Sequence, residues 1–411
     1  MDFTTKILHT TYNKSDVHGT LRMPVYDTAA FEFPDAESLE DAFLNRKPGH
    51  VYSRLTNPTV EHLEKIIKEV TGALGVVSFS SGMAAISNTF ITLLQPGDNI
   101  ITTKHLFGNT YSLFHKTLKS FGIGFRFADL TDLTSVEGAI DKHTRAIFLE
   151  TITNPMLEVA DAGALSEIAR ENKILLIADT TLTPLYLFDA KKHHVDIEII
   201  SSTKYISGGG TSTGGIIVDY GTYDWSQSAK LSTDAKKFGP FAFIARLRKE
   251  IHRNLGACLS PHNAYLQTLG LETFALRAEK SCANSLEIAE WLEKQPKVEK
   301  VNYPGLKNST YYELSQKQFG KLAGAIITLD LALKEVCFQF LNNLKIIRRA
   351  TNLNDNKTLA LHPASTIYCE YTPEELVPLG VSDKMIRLAI GIESARDLID
   401  DISQALNKID K

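Results

Sequence analysis

Lys204 lies in Ile199-Ile200-Ser201-Ser202-Thr203-Lys204-Tyr205, directly after an apolar run. Asp179 closes a second run, Ile174-Leu175-Leu176-Ile177-Ala178-Asp179. A lysine drawn partly out of water holds its proton less tightly and becomes a nucleophile and a base. A carboxylate at the end of a neighbouring strand can hold a heteroaromatic nitrogen in its protonated form. Ser201 and Thr203, beside the lysine, can take a phosphate group. An amine for a Schiff base, an acid for a pyridinium and hydroxyls for a phosphate are together the requirements of pyridoxal 5'-phosphate (PLP).

Other segments add to this set. Ser80-Ser81-Gly82-Met83 opens an apolar helical stretch. The free N–H groups and positive dipole end of a helix start attract anions. Arg54, in Tyr52-Ser53-Arg54, carries a planar guanidinium suited to phosphate. Arg387 lies in Met385-Ile386-Arg387-Leu388-Ala389-Ile390-Gly391. Strand alternation puts Ile386, Leu388 and Ile390 on one face and Arg387, Ala389 and Gly391 on the other. Small neighbours there leave room for a bound carboxylate. Phe107, in His105-Leu106-Phe107-Gly108, can stack on a flat ring. Each residue also has a plain reading: a solvated lysine, an aspartate in a turn, a serine cap, a loop arginine, a core phenylalanine. Their joint occurrence favours the chemical one. The glycine cluster at 208–214 invites comparison with dinucleotide loops. Its spacing is GxGxxxG, however, and a strand follows where a helix is required.

The elements that must hold these residues show as periodicity. Short apolar runs at 99–103, 124–128, 146–150, 174–179, 197–201 and 215–219 read as strands. Helical stretches at 60–70, 83–94, 110–121 and 162–172 separate several of them. Such alternation implies a mostly parallel α/β sheet, whose strand ends face a ligand crevice. Residues 1–60 are rich in turn formers and read as an extended arm. After Trp225 come a basic helical stretch at 243–255, a helix at 284–293 and strands at 300–303, 324–329 and 385–390. These suggest a smaller α+β domain. The expected organisation is an arm over 1–58, a PLP-binding large domain over 59–258 and a C-terminal small domain over 259–411.

With 411 residues, 43% hydrophobic and 22% charged, the chain has the material for a large core. A net charge of −4 offers neither a nucleic-acid surface nor a polybasic membrane patch. No apolar run reaches the ~18 residues of a membrane span, and the opening Met1-Asp2-Phe3-Thr4-Thr5-Lys6 lacks a signal-peptide core. Cys258, Cys282, Cys337 and Cys369 form no CxxC pair, so no metal site or disulfide framework is expected. The expectation is a cytoplasmic protein.

Together these motifs resemble the PLP-dependent enzymes of cysteine and methionine metabolism. That family includes cystathionine γ-synthase, cystathionine γ-lyase, methionine γ-lyase and O-acetylhomoserine sulfhydrylase. The resemblance begins at Thr5-Lys6-Ile7-Leu8-His9 and continues through 52–59, 80–85, Asn154-Pro155-Met156-Leu157 and 201–205. It ends at His362-Pro363-Ala364-Ser365-Thr366. It implies the aspartate-aminotransferase-like fold type I, with a mostly parallel seven-stranded sheet in an α/β large domain and a smaller C-terminal α+β domain. By position it makes Lys204 the Schiff-base lysine, Asp179 the pyridinium partner and Phe107 the stacking ring. It gives the phosphate to Ser81, Gly82, Met83, Ser201 and Thr203, joined by Tyr52 and Arg54 of a partner subunit. It gives the substrate to Arg387, Asn154 and Asn352, and it implies a homotetramer.

Segment 241–259 looks like an insertion of the sulfhydrylase branch. Gly270-Leu271-Glu272-Thr273 and 352–359 look like that branch too. Phe107 stands where the family usually has a tyrosine, which keeps stacking and drops a phenol associated with proton transfer in γ-elimination. Gly209 stands where a histidine is common. The resemblance implies an O-acetyl-L-homoserine sulfhydrylase of methionine biosynthesis, which replaces acetate with sulfur to give L-homocysteine. Sulfide, a thiol or a small sulfur-carrier protein bearing a thiocarboxylate would be the donor. Cystathionine γ-synthase or γ-lyase activity is the alternative within the family. A nicotinamide dehydrogenase fails on the glycine spacing, and a non-catalytic binding protein would have no need of Lys204, Asp179 and Arg387.

Overall fold

The structure is a computed structural model and describes residues 1–11, 18–44 and 46–409. The N-terminal region is less extended than expected, because it carries α1 (Phe3–His9) and α2 (Ala36–Phe43). Asp2 and Asp35 cap them by accepting N–H groups of the first turns. Helix α3 (Pro58–Thr71) shows how strongly local chemistry sets an element. Asn57 accepts the N–H of Thr59, Pro58 occupies the first turn, and Gly72 ends the helix at φ +64°. Leu63, Ile66 and Ile67 line its buried side.

The large sheet has seven strands, as the resemblance implied. They are β1 (Gly75–Phe79), β2 (Asn99–Thr102), β3 (Gly124–Phe127), β4 (Thr144–Glu150), β5 (Leu175–Asp179), β6 (Ile197–Ile200) and β7 (Gly215–Asp219). Their order is β1-β7-β6-β5-β4-β2-β3. Only β7 runs against its neighbours. Strand β1 was not among the six runs read as strands. It is five residues long and follows α3 after a three-residue link, so its apolar character merges with that of the helix. Alternation along the strands feeds two cores. Ile147 and Leu149 of β4 join the core that includes α3, while Phe148 joins the core of α4 (Gly82–Leu93). Both faces of the sheet are thereby covered, and the strand ends are left to form a crevice.

The stretch 110–121, expected as one helix, is an α-turn at Gly108–Ser112, a π-helical turn at Leu113–Thr117 and a 3₁₀ turn ending at Phe121. Buried Phe114 stacks on Phe125 with ring centroids 4.6 Å apart and meets Phe90 edge-on. The helix expected at 284–293 starts at Phe274. Buried Arg277, Ser281, Asn284 and Ser285 break up its apolar stripe, which hid its first half.

The second sheet contains β8 (Lys300–Asn302), β9 (Ile326–Asp330), β10 (Arg348–Arg349), β11 (Leu359–Leu361) and β12 (Met385–Ala389), in the order β10-β11-β12-β9-β8. Strands β10 and β11 were not anticipated, having only two and three residues. Ile386, Leu388 and Ile390 enter a third core with Leu398 and Ile402 of the final helix. That leaves Arg387 on the opposite face, as alternation required. No helix among the described residues is long and apolar enough to cross a membrane.

Candidate active site

Strands β4, β5 and β6 are parallel, so Glu150, Asp179 and Ile200 end at one edge of the sheet. A cavity of about 390 Å³ opens there, bounded also by the start of α4 and by β12 of the second sheet. Lys204, Asp179, Phe107, Asn154 and Arg387 line it. So do Ser81, Gly82, Met83, Ser201 and Thr203.

One wall is shaped for an anion. Ser81 caps α4 by accepting the N–H of Ala84 at 3.1 Å. A Cβ at Gly82 would lie 2.7 Å from Cβ and 2.9 Å from Oγ of Ser201, so only glycine lets the helix start come this close. The hydroxyls of Ser81, Ser201 and Thr203 and the N-terminus of a twelve-residue helix therefore converge on one corner. This corner suits the phosphate of PLP.

Lys204 follows as a turn. Its loop is held from behind by Arg277, whose Nη2 donates to the carbonyls of Tyr205 and Gly270 at 2.8 and 2.7 Å. A side chain at Gly270 would meet the carbonyl oxygen of Ile206 at 2.1 Å. Lys204 Nζ donates to Asn352 Oδ1 at 2.7 Å. Burial, with Arg387 adding repulsion, lowers its pKa to about 8. The amine is thus partly neutral near neutral pH.

Asp179 accepts the N–H of Thr181 at 2.9 Å, and burial raises its pKa. A carboxyl in this position gains from a cation such as a pyridinium. Beside it in the register stands Glu150, a residue that sequence reasoning passed over. Glu150 accepts the N–H groups of Phe107 at 2.8 Å and Asn154 at 3.3 Å. Burial, and then the charge of Asp179, push its pKa well up. Two buried carboxyls so close do not both ionise freely. The signal was available, because Glu150 closes its apolar run as Asp179 closes the next.

Arg387 is 1% exposed. Its Nη1 donates to Asn154 Oδ1 at 3.2 Å, and its Nη2 donates to the carbonyls of Thr351 and Asn352 at 3.1 Å. Its Nε is buried without a partner. Burial lowers its pKa to about 10. No Asp or Glu among the described residues forms an ion pair with it. A desolvated guanidinium with a spare donor, facing a cavity, has the chemistry to accept a carboxylate.

Three expected residues lie elsewhere. Asn352 turns its side chain to Lys204 and offers Arg387 only its main-chain oxygen. Tyr52 is 42% exposed, and Arg54 stacks over its ring at 5.4 Å while donating to the carbonyl of Arg253 at 2.6 Å. Neither lines this chain's cavity. Tyr368 was also missed. It is buried, and its hydroxyl donates to the carbonyls of Leu106 at 3.0 Å and Asn154 at 3.1 Å.

Residues 4–407 match the profile of the Cys/Met metabolism PLP-dependent enzymes. The chain belongs to this family. It is a PLP-dependent enzyme, and the cavity just described fits that cofactor at the phosphate corner, at Asp179 and at Lys204. The chain is 36% identical to L-methionine gamma-lyase of Pseudomonas putida, over 98% of its own length and 97% of the relative's. It is 36% identical to O-acetyl-L-homoserine sulfhydrylase 1 of Thermus thermophilus, covering 99% of this chain and 100% of that one. The solved O-acetylhomoserine sulfhydrylase of Wolinella succinogenes is 50% identical, with a TM-score of 0.78 over 86% of this chain and 99% of that chain. These relatives thus divide between a γ-lyase and O-acetylhomoserine sulfhydrylases.

Proposed function

We propose that this enzyme catalyses γ-replacement: it exchanges the acetate of O-acetyl-L-homoserine for a sulfur nucleophile and forms L-homocysteine. The observation that carries the choice is Phe107, which gives the cavity an aromatic face and no phenol. The 50% identity to a sulfhydrylase supports the same reading.

Each wall has a task in this reading. Ser81, Gly82, Met83, Ser201 and Thr203 hold the phosphate. Phe107 would offer its face to the ring, and Asp179 would favour a charged ring nitrogen. Bound PLP supplies an electron sink for charge developing on the substrate carbons. Arg387 takes the substrate's α-carboxylate, and Asn154 steadies the guanidinium at Nη1. Lys204 would anchor the cofactor and, when its amine is free, move protons at Cα and Cβ, for which an amine with a pKa of about 8 is well matched. Loss of acetate from Cγ and entry of sulfur at the same carbon complete the exchange. We assign Tyr52 and Arg54 to the phosphate of a partner subunit within a homotetramer. Sulfide as donor gives L-homocysteine directly; a thiol would give the corresponding thioether, and a carrier-protein thiocarboxylate a thioester whose hydrolysis releases homocysteine.

A second reading, γ-elimination from methionine, draws on the identity to the Pseudomonas lyase. The test is a spectrum of the purified protein, followed by O-acetyl-L-homoserine with and without sulfide and, in a separate sample, by methionine. A visible band lost in Lys204→Ala, and homocysteine only when both substrates are present, is the expected result. Rapid release of methanethiol from methionine, without homocysteine formation, overturns it.

A further inference from the structure

Asn352 stands between two groups of opposite hydrogen-bonding character. Lys204 Nζ donates to its Oδ1 at 2.7 Å, and its Nδ2 donates to Asp355 Oδ2 at 3.0 Å. A carboxylate only accepts and an ammonium only donates, so Asp355 decides which end of the amide faces the lysine. Asp355 is itself tied down, its Oδ1 accepting the N–H of Lys357 at 3.1 Å. The space around the pair is closed. Gly210 has φ +65°, and a Cβ there would lie 2.8 Å from Asn352 Nδ2 and 2.9 Å from Asp355 Oδ2. The carbonyl of Asn352 also accepts Arg387 Nη2 at 3.1 Å. One residue therefore touches both the lysine and the arginine of the site, and its amide is oriented from behind.

We propose that Asp355 is a positioning residue: through Asn352 it holds the Lys204 amine at a fixed place in the cavity whenever that amine is not bonded to the cofactor. The inference rests on the reading of the site given above. Once the substrate's amine has taken the cofactor, Lys204 must stay within reach of the protons it is to move. A free four-carbon side chain samples many positions, and a proton transfer needs heavy atoms within hydrogen-bond reach. An amide oxygen of fixed orientation keeps Nζ in the cavity and takes no proton itself. The charged groups acting on the amine are Arg387, which favours its neutral form, and Asp355, which favours the ammonium. Asp179 and Glu150 line the same cavity.

The test compares Asp355→Ala and Asp355→Asn in the full-length holoenzyme. Alanine releases the Asn352 amide to turn over. Asparagine keeps an oxygen for Nδ2 and removes only the charge. In Asp355→Ala, kcat should fall about tenfold with the KM for O-acetyl-L-homoserine within about twofold, the loss that one net hydrogen bond accounts for. Asp355→Asn should recover to within about threefold of wild type. The pH limb for regaining the visible band, when PLP is added to cofactor-free protein, should move to lower pH in both variants. Wild-type kcat in Asp355→Ala, an Asp355→Asn as slow as Asp355→Ala, or an unmoved limb overturns the proposal. A wild-type protein that forms no visible band overturns the underlying reading, and this inference with it.

Discussion

Arg387 and Asn154 join the two sheets at the cavity, Nη1 of one donating to Oδ1 of the other at 3.2 Å. Asn154 is the guanidinium's only side-chain partner among the described residues, and Nε is left over. A charge buried in this way costs stability and is tolerated where it receives a ligand. Arg387→Met should therefore lower kcat/KM for O-acetyl-L-homoserine by at least ~30-fold, the effect of removing a buried charge partner worth about 2–5 kcal/mol. The visible band should persist, and the melting temperature should hold or rise. A kcat/KM within fivefold of wild type would show that the carboxylate binds elsewhere.

Glu198 lies on the other side of the sheet from the α4 core, fully enclosed, and accepts hydroxyl hydrogen bonds from Thr180 at 2.6 Å and Tyr220 at 2.7 Å. Burial raises its pKa to about 7, against an ordinary carboxyl value of 4.5. The sign follows from proton counting. Between 4.5 and about 7 the folded chain binds more protons at this group than the unfolded one, so stability falls as pH rises through that window. Glu198→Gln keeps a neutral side chain of the same shape at every pH. It should match wild type at pH 5 and exceed it at pH 8 by up to about 3 kcal/mol, read as a higher melting temperature. Equal melting temperatures at pH 8 would contradict the burial argument.

Much of this site could be read before any coordinates, for a definite reason. Lys204, Asp179 and Arg387 sit at the ends or on the faces of strands, where period-two patterning and the parallel-sheet rule fix direction. Gly82 and Ser81 were legible because helix starts have a local chemistry. What escaped depends on contacts distant in sequence. Nothing near Tyr368 announces that its hydroxyl reaches Leu106 and Asn154. Nothing near Asp355 announces Lys204. Strand β1 was lost for a different reason, since it follows α3 after a three-residue link and its apolar run merges with that of the helix. The partner-subunit role of Tyr52 and Arg54 came from resemblance, and within a single chain they rest against each other and Arg253.

Tyr368 belongs to the segment after β11 and ties that segment to both loops that carry site residues. Its single O–H is shared between two buried carbonyls, and removing it leaves them without that donor. Tyr368→Phe should cost about 1–3 kcal/mol of stability. It should also loosen Phe107 and Asn154 together, so kcat should fall several-fold while the visible band remains. Denaturant unfolding and steady-state rates on one preparation check both. Unchanged stability would mean that water replaces the phenol at no cost.

Phe107 gives the sharpest chemical prediction. Its N–H is fixed by Glu150 at 2.8 Å, and its ring lines the cavity. Phe107→Tyr adds a single hydroxyl at the ring's far end, in a chamber of about 390 Å³ with room for it. A phenol there is a new acid and base beside the substrate, and such a group can contribute about 10²-fold to a proton transfer. Elimination should gain from it, because that route alone must place a proton on Cγ before releasing 2-oxobutanoate and ammonia with no sulfur added. Replacement needs no proton at Cγ, since sulfur enters where acetate left. The ratio of 2-oxobutanoate to homocysteine, measured with O-acetyl-L-homoserine and limiting sulfide, should therefore rise at least several-fold in Phe107→Tyr. A ratio equal to wild type would mean that position 107 stacks without directing the outcome, and the choice between replacement and elimination would have to be sought at Lys204 and its Asn352–Asp355 support.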